Sequence, residues 1–408
     1  MSIIYNLGIL LYNAVLSLLS LFNDKAKKLH RGRAETMLRL PNLNFPDTCI
    51  WIHCASLGEF EQGRPIIEAI KKQDPSQKVV LTFFSPSGYE VQKNYALADA
   101  IMYLPSDRPA NAKKFIKAIN PKQAIFVKYE FWHHYLKHLH QLGISTYIVS
   151  AIFRPKHTFF KWYGGWYRKM LQYFTKLYVQ NEESAQLLAG IGIKNYQVTG
   201  DTRFDRVYQI AQKAQEYPEL ALFAQNHKVL VGGSTWPAGE KLLANYLKHN
   251  PDCKLLLAPH EIHEEHLTQI EALMKDFTCA RYTALHHIDL KQLRVLIVDT
   301  MGMLSSMYRY GDMAYIGGGF GSGIHNTLEP ATFGLPVIIG PNYKKYQEAC
   351  DLIQLGAGFC VHNSSDFNQV ANHLLKDMEQ LSVASKASSD YVNKMRGATQ
   401  VIVKELLG

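Results

Sequence analysis

Met313 to Tyr343 read M-A-Y-I-G-G-G-F-G-S-G-I-H-N-T-L-E-P-A-T-F-G-L-P-V-I-I-G-P-N-Y. An apolar run (313–319) enters a turn carrying Gly317, Gly318, Gly319, Gly321 and Gly323, a helix opens near Asn326, and a second apolar run follows at 336–340. Strand, turn, helix and strand in that order make a βαβ unit, whose long crossover belongs to parallel pairing. The glycines let backbone come close to a phosphate, and the N–H groups at the helix start point at an anion. The run fits neither G-x-G-x-x-G nor the pattern ending in Gly-Lys-Ser/Thr, so dehydrogenases and P-loop enzymes lose ground. A plain glycine turn is the alternative. Glu329, one turn into the helix, can accept hydrogen bonds from ribose hydroxyls.

The same alternation extends in both directions. Strand-like runs stand at 228–233, 253–259, 295–300 and 358–361, and in the first half at 50–53, 78–84, 100–104, 123–129, 145–152, 176–180 and 196–200. With 408 residues there is room for two domains. The expected fold class is α/β, with two Rossmann-like domains facing a cleft, one over 24–205 and the other over 206–408, and a helical connector from Asp201 to Asn226. In open parallel sheets ligands bind beyond the carboxyl ends of strands, so strand ends are the places to inspect.

One such end is I-W-I-H-C-A-S-L-G-E, after which a helix is expected over 65–72. Ser56, Gly58 and Glu59 then occupy the turn between strand and helix. Glu59 could serve as a general base, or it could be an acid favoured by a helix's first turn. Glu130 ends another strand beside aromatic residues, where it could stabilise a transition state or cap the helix starting at His133. H-E-I-H-E-E-H (His260, His263, His266) is not the zincin pattern, because its histidines are three apart. Its acids suit a solvated helix start.

Residues 1–23 carry no charge, and fifteen of the twenty from Ile3 to Phe22 are apolar. Twenty helical residues span about 30 Å, a bilayer's hydrocarbon thickness. Lys25, Lys27, Lys28, Arg31 and Arg33 follow, which places the remainder in the cytoplasm. The segment 1–23 is expected to be a membrane anchor, either crossing the bilayer or lying in its interface. Forty-four Lys and Arg against thirty-five Asp and Glu leave +9, a balance that favours anionic partners. The mix of basic and aromatic residues over Phe153–Arg168 matches no nucleic-acid module and reads instead as a membrane-facing surface. Six cysteines without a C-x-x-C pair indicate reduced thiols.

W-I-H-C-A-S-L-G-E (51–59), G-D-T-R-F-D (200–205), V-D-T-M-G-M-L (298–304), H-N-T-L-E-P (325–330) and P-V-I-I-G-P-N-Y (336–343), behind an apolar N-terminus, resemble the 3-deoxy-D-manno-octulosonic acid (Kdo) transferases of lipopolysaccharide synthesis. The likeness runs over almost the whole chain. It implies a GT-B-fold, metal-independent, inverting glycosyltransferase at the cytoplasmic side of the inner membrane, with no cofactor and no nucleic-acid partner. The donor would be CMP-Kdo and the acceptor lipid IVA. The N-terminal domain would bind the acceptor and the C-terminal domain CMP-Kdo. Carried over by motif, Glu59 matches the family's general base, Glu130 its second essential acid, and Arg203 a basic residue that steadies developing charge. Pro259 and His260, Met301, Gly302 and Met303, and Asn326, Thr327, Leu328 and Glu329 match stretches that hold CMP, beside the phosphate loop of Gly318 and Gly319. The chain departs from the family at His260-Glu261, where Arg-His is usual, at Met303, where Glu is usual, and at Lys128, where an acid is usual. A nucleotide-sugar epimerase of similar fold and a non-enzymatic membrane tether are the rival readings.

Overall fold

Residues 2–43, 48–286 and 288–408 are described by a computed structural model. The chain forms two compact units, Met1–Arg206 joined by Arg396–Gly408, and Val207–Met395. In the first, β1 (Cys49–Cys54), β2 (Lys78–Phe83), β3 (Ala100–Tyr103), β4 (Pro121–Val127), β5 (Ser145–Ala151), β6 (Lys176–Val179) and β7 (Tyr196–Val198) make one sheet in the order β3-β2-β1-β4-β5-β6-β7. Every pairing in it is parallel. Helices cover both faces of such a sheet, and all six residues of β1 are accordingly buried. Trp51 packs on one face with Phe115, Phe126 and Tyr135, while Ile50 and Ile52 pack on the other with Ile66 and Ile70.

The second unit repeats the plan with β8 (Lys228–Thr235), β9 (Cys253–Pro259), β10 (Cys279–Arg281), β11 (Val295–Ile297), β12 (Met313–Ile316), β13 (Val337–Ile339) and β14 (Gly358–Cys360), ordered β10-β11-β9-β8-β12-β13-β14. These pairings are parallel too. Two Rossmann-like units are therefore present, as the alternation of runs implied. Strand β10, absent from the sequence reading, is a three-residue edge strand.

In each sheet the chain winds first to one side of its opening strand and then to the other, which puts a switch point between β1 and β4 in the first unit and between β8 and β12 in the second. Chain leaving these neighbours diverges to opposite faces and opens a crevice at their carboxyl ends.

Three expectations need correction. The second domain does not run to residue 408: helix Ala398–Leu407 inserts Ile402, Val403 and Leu406 into the first unit's core. Asp205 fixes its start, accepting the Gly397 and Thr399 N–H groups at 2.7 Å each. The helix after β1 runs from Leu57 to Gln73 rather than over 65–72, so Pro65 lies inside it. The helix near Asn326 is a single turn, Leu328–Thr332.

Helix Ser2–Leu19 is long and apolar enough to cross a membrane. One stripe of it rests on the first unit. The Tyr5 hydroxyl donates to Asp107, Asn6 Oδ1 lies 2.6 Å from His134 Nε2, and Leu16 packs with Leu29 and Tyr103. The rest of the helix, including Ile3, Ile4, Leu7, Leu11 and Leu18, is exposed.

Candidate active site

At the first switch point Ser56 caps the helix, and the Gly58 N–H donates to its Oγ at 3.2 Å. Glu59, three residues on, accepts the Ser56 hydroxyl. Ser-x-x-Glu is a capping-box spacing, so the signal for the true helix start was present in the sequence. The other oxygen of Glu59 lies 3.9 Å from Lys128 Nζ, which brings the ends of β1 and β4 together. Lys128 has φ of 71°. A non-glycine residue in that region is strained, and such strain collects at functional sites.

Glu130 does not cap the helix that starts at His133. Its Oε2 accepts Trp132 Nε1–H at 2.7 Å and lies 3.1 Å from His53 Nε2. His53 Nδ1 lies 2.9 Å from Thr82 Oγ1, which also accepts Trp51 Nε1–H at 2.8 Å. His53 Nε2 also lies 3.2 Å from Trp132 Nε1, so His53, Trp132 and Glu130 meet in one cluster. Glu130 is thus held in a dry relay of Trp51, Thr82, His53 and Trp132. None of these four was picked out as functional from sequence, although His53 ends the quoted strand.

Arg203 follows β7 and lies against Asp201, with Nε to Oδ2 at 2.9 Å and Nη2 to Oδ2 at 2.8 Å. Burial pushes the Asp201 carboxyl up, but the charge and hydrogen bonds of Arg203 outweigh it, and its pKa ends below the ordinary value. Gln62 Nε2, on the helix that carries Glu59, donates to Asp201 at 3.0 Å. Thr202 Oγ1 donates to the Gln62 carbonyl at 2.6 Å. The helix of Glu59 and the loop of Arg203 are therefore one hydrogen-bonded piece.

At the second switch point the groups are rings and bare backbone. Gly317 packs so closely that a Cβ there would sit 1.9 Å from the Ser234 carbonyl oxygen. Gly318 turns the chain at φ 87°. Part of the glycine run thus serves the packing of β12 on β8. Gly319 is pressed against Gly340. His260, just past Pro259 and β9, stacks on His325 with ring centres 4.2 Å apart, and Trp236 Nε1–H donates to His325 Nε2 at 3.0 Å. Burial, then neighbouring His260, lowers the His325 pKa, in keeping with a neutral ring that accepts that bond. These rings and Gly318 line a cavity of about 410 Å³. Trp236 and His325 were missed as site residues; each stands just beyond a strand or glycine turn.

The remaining expected donor residues lie around this unit. Asn326 Oδ1 accepts the Leu328 N–H at 3.0 Å and its Nδ2 donates to Glu329 at 2.9 Å. Thr327 is buried and among the described residues its hydroxyl has no hydrogen-bond partner. Met301 is exposed, Gly302 turns at φ 88°, and Met303 is buried with Thr300 Oγ1 2.7 Å from its sulfur. In the histidine motif, His263 caps its helix and His266 pairs with Glu240 at 3.1 Å.

A family described as 3-deoxy-D-manno-octulosonic-acid transferase (kdotransferase) matches residues 27–206. The 3-deoxy-D-manno-octulosonic acid transferase of Aquifex aeolicus is 27% identical over 358 residues, covering 85% of this chain and 92% of that protein. The same-named protein of Haemophilus influenzae is 25% identical, with 87% and 86% covered. Among solved structures, UDP-GlcNAc 2-epimerase from Neisseria meningitidis superposes with a TM-score of 0.62 at 14% identity, covering 88% of this chain and all of that one (100%). Acinetobacter baumannii MurG gives 0.57 at 13% identity, covering 88% and 99%. At such identities the structural likeness speaks to the fold, which is GT-B-like.

Proposed function

We propose that this chain is a Kdo transferase that moves Kdo from CMP-Kdo onto lipid IVA, the lipid A precursor, with inversion and with Glu59 as general base; the match of residues 27–206 to the kdotransferase family and the likeness to the Aquifex aeolicus and Haemophilus influenzae transferases support this reading. The observation that carries this reading is Glu59 itself. Its carboxylate stands at the switch point of the first sheet, in reach of the Ser56 hydroxyl and of Lys128, where a ligand crevice opens.

The acceptor hydroxyl attacks the anomeric carbon of Kdo while its proton passes to Glu59. The bond from that carbon to the phosphate oxygen breaks, and its electron pair leaves with CMP. Arg203, aimed by Asp201, carries the positive charge suited to offset the charge that develops on the phosphate. The His260–His325 pair gives a flat surface suited to a nucleobase, and Glu329 a carboxylate suited to ribose hydroxyls. Glu130 holds its neighbours in place through His53 and Trp132.

The acceptor's acyl chains keep it in the membrane, so the enzyme must work at that surface. The exposed apolar face of helix Ser2–Leu19, the exposed Trp162 and Tyr163, and exposed Lys25, Lys27, Lys28 and Arg31 suit the cytoplasmic face of an inner membrane. Contacts from Tyr5 to Leu16 hold the helix along the body, which favours lying in the interface over crossing the bilayer.

Incubating the purified full chain with CMP-Kdo and lipid IVA, followed by mass spectrometry, tests the proposal. Lipid IVA gaining one or more Kdo units is expected. CMP release without a lipid product, or no turnover at all, would overturn it.

A further inference from the structure

Helix Asp24–Arg39 turns Arg33 inward, where the residue is only 8% exposed. Its guanidinium lies 4.7 Å from the centre of the Phe84 ring and 5.6 Å from that of Tyr12. Among the described residues its Nε and Nη1 have no hydrogen-bond partner; the Tyr12 side chain hydrogen-bonds the guanidinium, and the ionisable groups acting on it are the phenols of Tyr12 and Tyr135. Asp107, an acid on the neighbouring loop, is already occupied by the Tyr5 hydroxyl and the backbone N–H groups of His134 and Tyr135. Burial lowers the guanidinium's pKa. A buried cation with unmet donors costs stability, and a protein keeps one where a ligand supplies the missing acceptors.

Arg33 lines a cavity of about 220 Å³ together with His30, Arg108, Ser106, Asn111 and Asn13. Among the described residues no carboxylate lines it. Helix Pro109–Ile119 begins at its edge, and no side chain caps that first turn. Asn13 and Leu16 bring in the apolar N-terminal helix. Buried guanidinium, exposed guanidinium, imidazole and an uncapped helix start are all donors, and the shape is concave.

We propose that this cavity binds a phosphoryl group, seated between Arg33 and Arg108 at the foot of the N-terminal helix. A lipid headgroup and free inorganic phosphate both present that chemistry. The site does not depend on the transfer reaction.

The test uses the full chain and its Arg33→Met, Arg33→Lys and Arg108→Ala variants. Co-sedimentation with vesicles of phosphatidylcholine, alone or with phosphatidic acid, is measured in about 0.5 M salt, which screens exposed lysines. Melting temperature is measured in inorganic phosphate against chloride of equal ionic strength. Wild type should prefer the phosphatidic acid vesicles, melt higher in phosphate, or both. Arg33→Met should lose about ten-fold or more of that affinity, as expected for charged hydrogen bonds. Its melting temperature in chloride should be no lower, since the unmet cation is gone, and Arg33→Lys should recover part of the response. A vesicle preference assigns the site to lipid, and a phosphate response without one assigns it to the free ion. Neither response in wild type, or an unchanged response in Arg33→Met with a lowered melting temperature, would overturn the proposal. Should Arg33→Met fail to fold, the exposed Arg108→Ala carries the same comparison.

Discussion

Where β1 parts from β4, the first unit places Glu59 and Lys128 in contact, with Glu130 two residues further along. Where β8 parts from β12, the second unit places Gly317, Gly318 and the rings of His260, His325 and Trp236, and among the described residues no carboxylate, lysine or arginine lines its cavity. One backbone plan supports two chemistries. The first place can take up a proton and hold charge; the second can hold a flat ring and let backbone approach an anion. A shared fold therefore says where to look, and the side chains at strand ends say what happens there.

The sharpest way to break this contrast is Glu59→Gln. Glutamine also serves at the third helical position of a capping box, so the fold and donor binding should persist either way. If Glu59 takes the acceptor's proton, single-turnover transfer should fall by about 10²–10⁴-fold. If it only completes the cap, transfer and melting temperature should both stay near wild type.

How much of this was legible follows from where each signal lies. The strand runs are local, and buried parallel strands such as β1 and β9 are apolar throughout, so sequence alone placed them. The helix carrying Glu59 was expected to begin at Pro65, while the capping-box pair Ser56 and Glu59 held the true start. β10 has three residues, including Arg281, whose guanidinium pairs with Glu264 and Glu271 rather than with a core. Helix Ala398–Leu407 has an apolar face like any other, and nothing local says which unit it covers. The relay around Glu130 joins residues on β1, β2 and the segment after β4, far apart in sequence.

A second prediction tests whether dry charge in the first unit extends beyond the switch point. Burial raises the Asp107 carboxyl from 3.8 to about 6, against the pull of its hydrogen bonds from Tyr5 and the backbone. Between those values the folded protein binds more protons than the unfolded one, so stability falls as pH rises through that window. Asp107→Asn keeps an oxygen for the amides and removes the charge. It should be more stable than wild type at pH 7–8 by up to roughly 3 kcal/mol, about two pKa units' worth. The gap should close near pH 4. Denaturant titrations across pH measure it, and a constant difference would dismiss the role of charge.

In the second unit the expected effect is on binding. His325→Ala removes half of the ring pair and should raise KM for CMP-Kdo by about ten-fold, the scale of lost stacking on a base, with kcat little changed. Equal losses in kcat and kcat/KM would instead place His325 in the transition state and blur the contrast.

The smallest effect concerns strain that both units share. Lys128 follows the last residue of β4 at φ 71° and Ser234 lies near the end of β8 at φ 49°. A side chain in this region costs about 1–2 kcal/mol, and glycine escapes that cost while losing roughly 0.5–1 kcal/mol to its freer unfolded chain. Ser234→Gly should therefore gain about 0.5–1 kcal/mol in chemical denaturation. Lys128→Gly should gain less, because it also gives up the contact with Glu59, and a partly exposed pair of this kind is worth about 0–1 kcal/mol. If Ser234→Gly destabilises the protein instead, its backbone is held by its own side chain and the likeness between the two switch points is one of topology alone. If it gains stability while Lys128→Gly loses both stability and transfer rate, the lysine is bound up with the chemistry of Glu59, and the strain at β4 holds that charge beside the base.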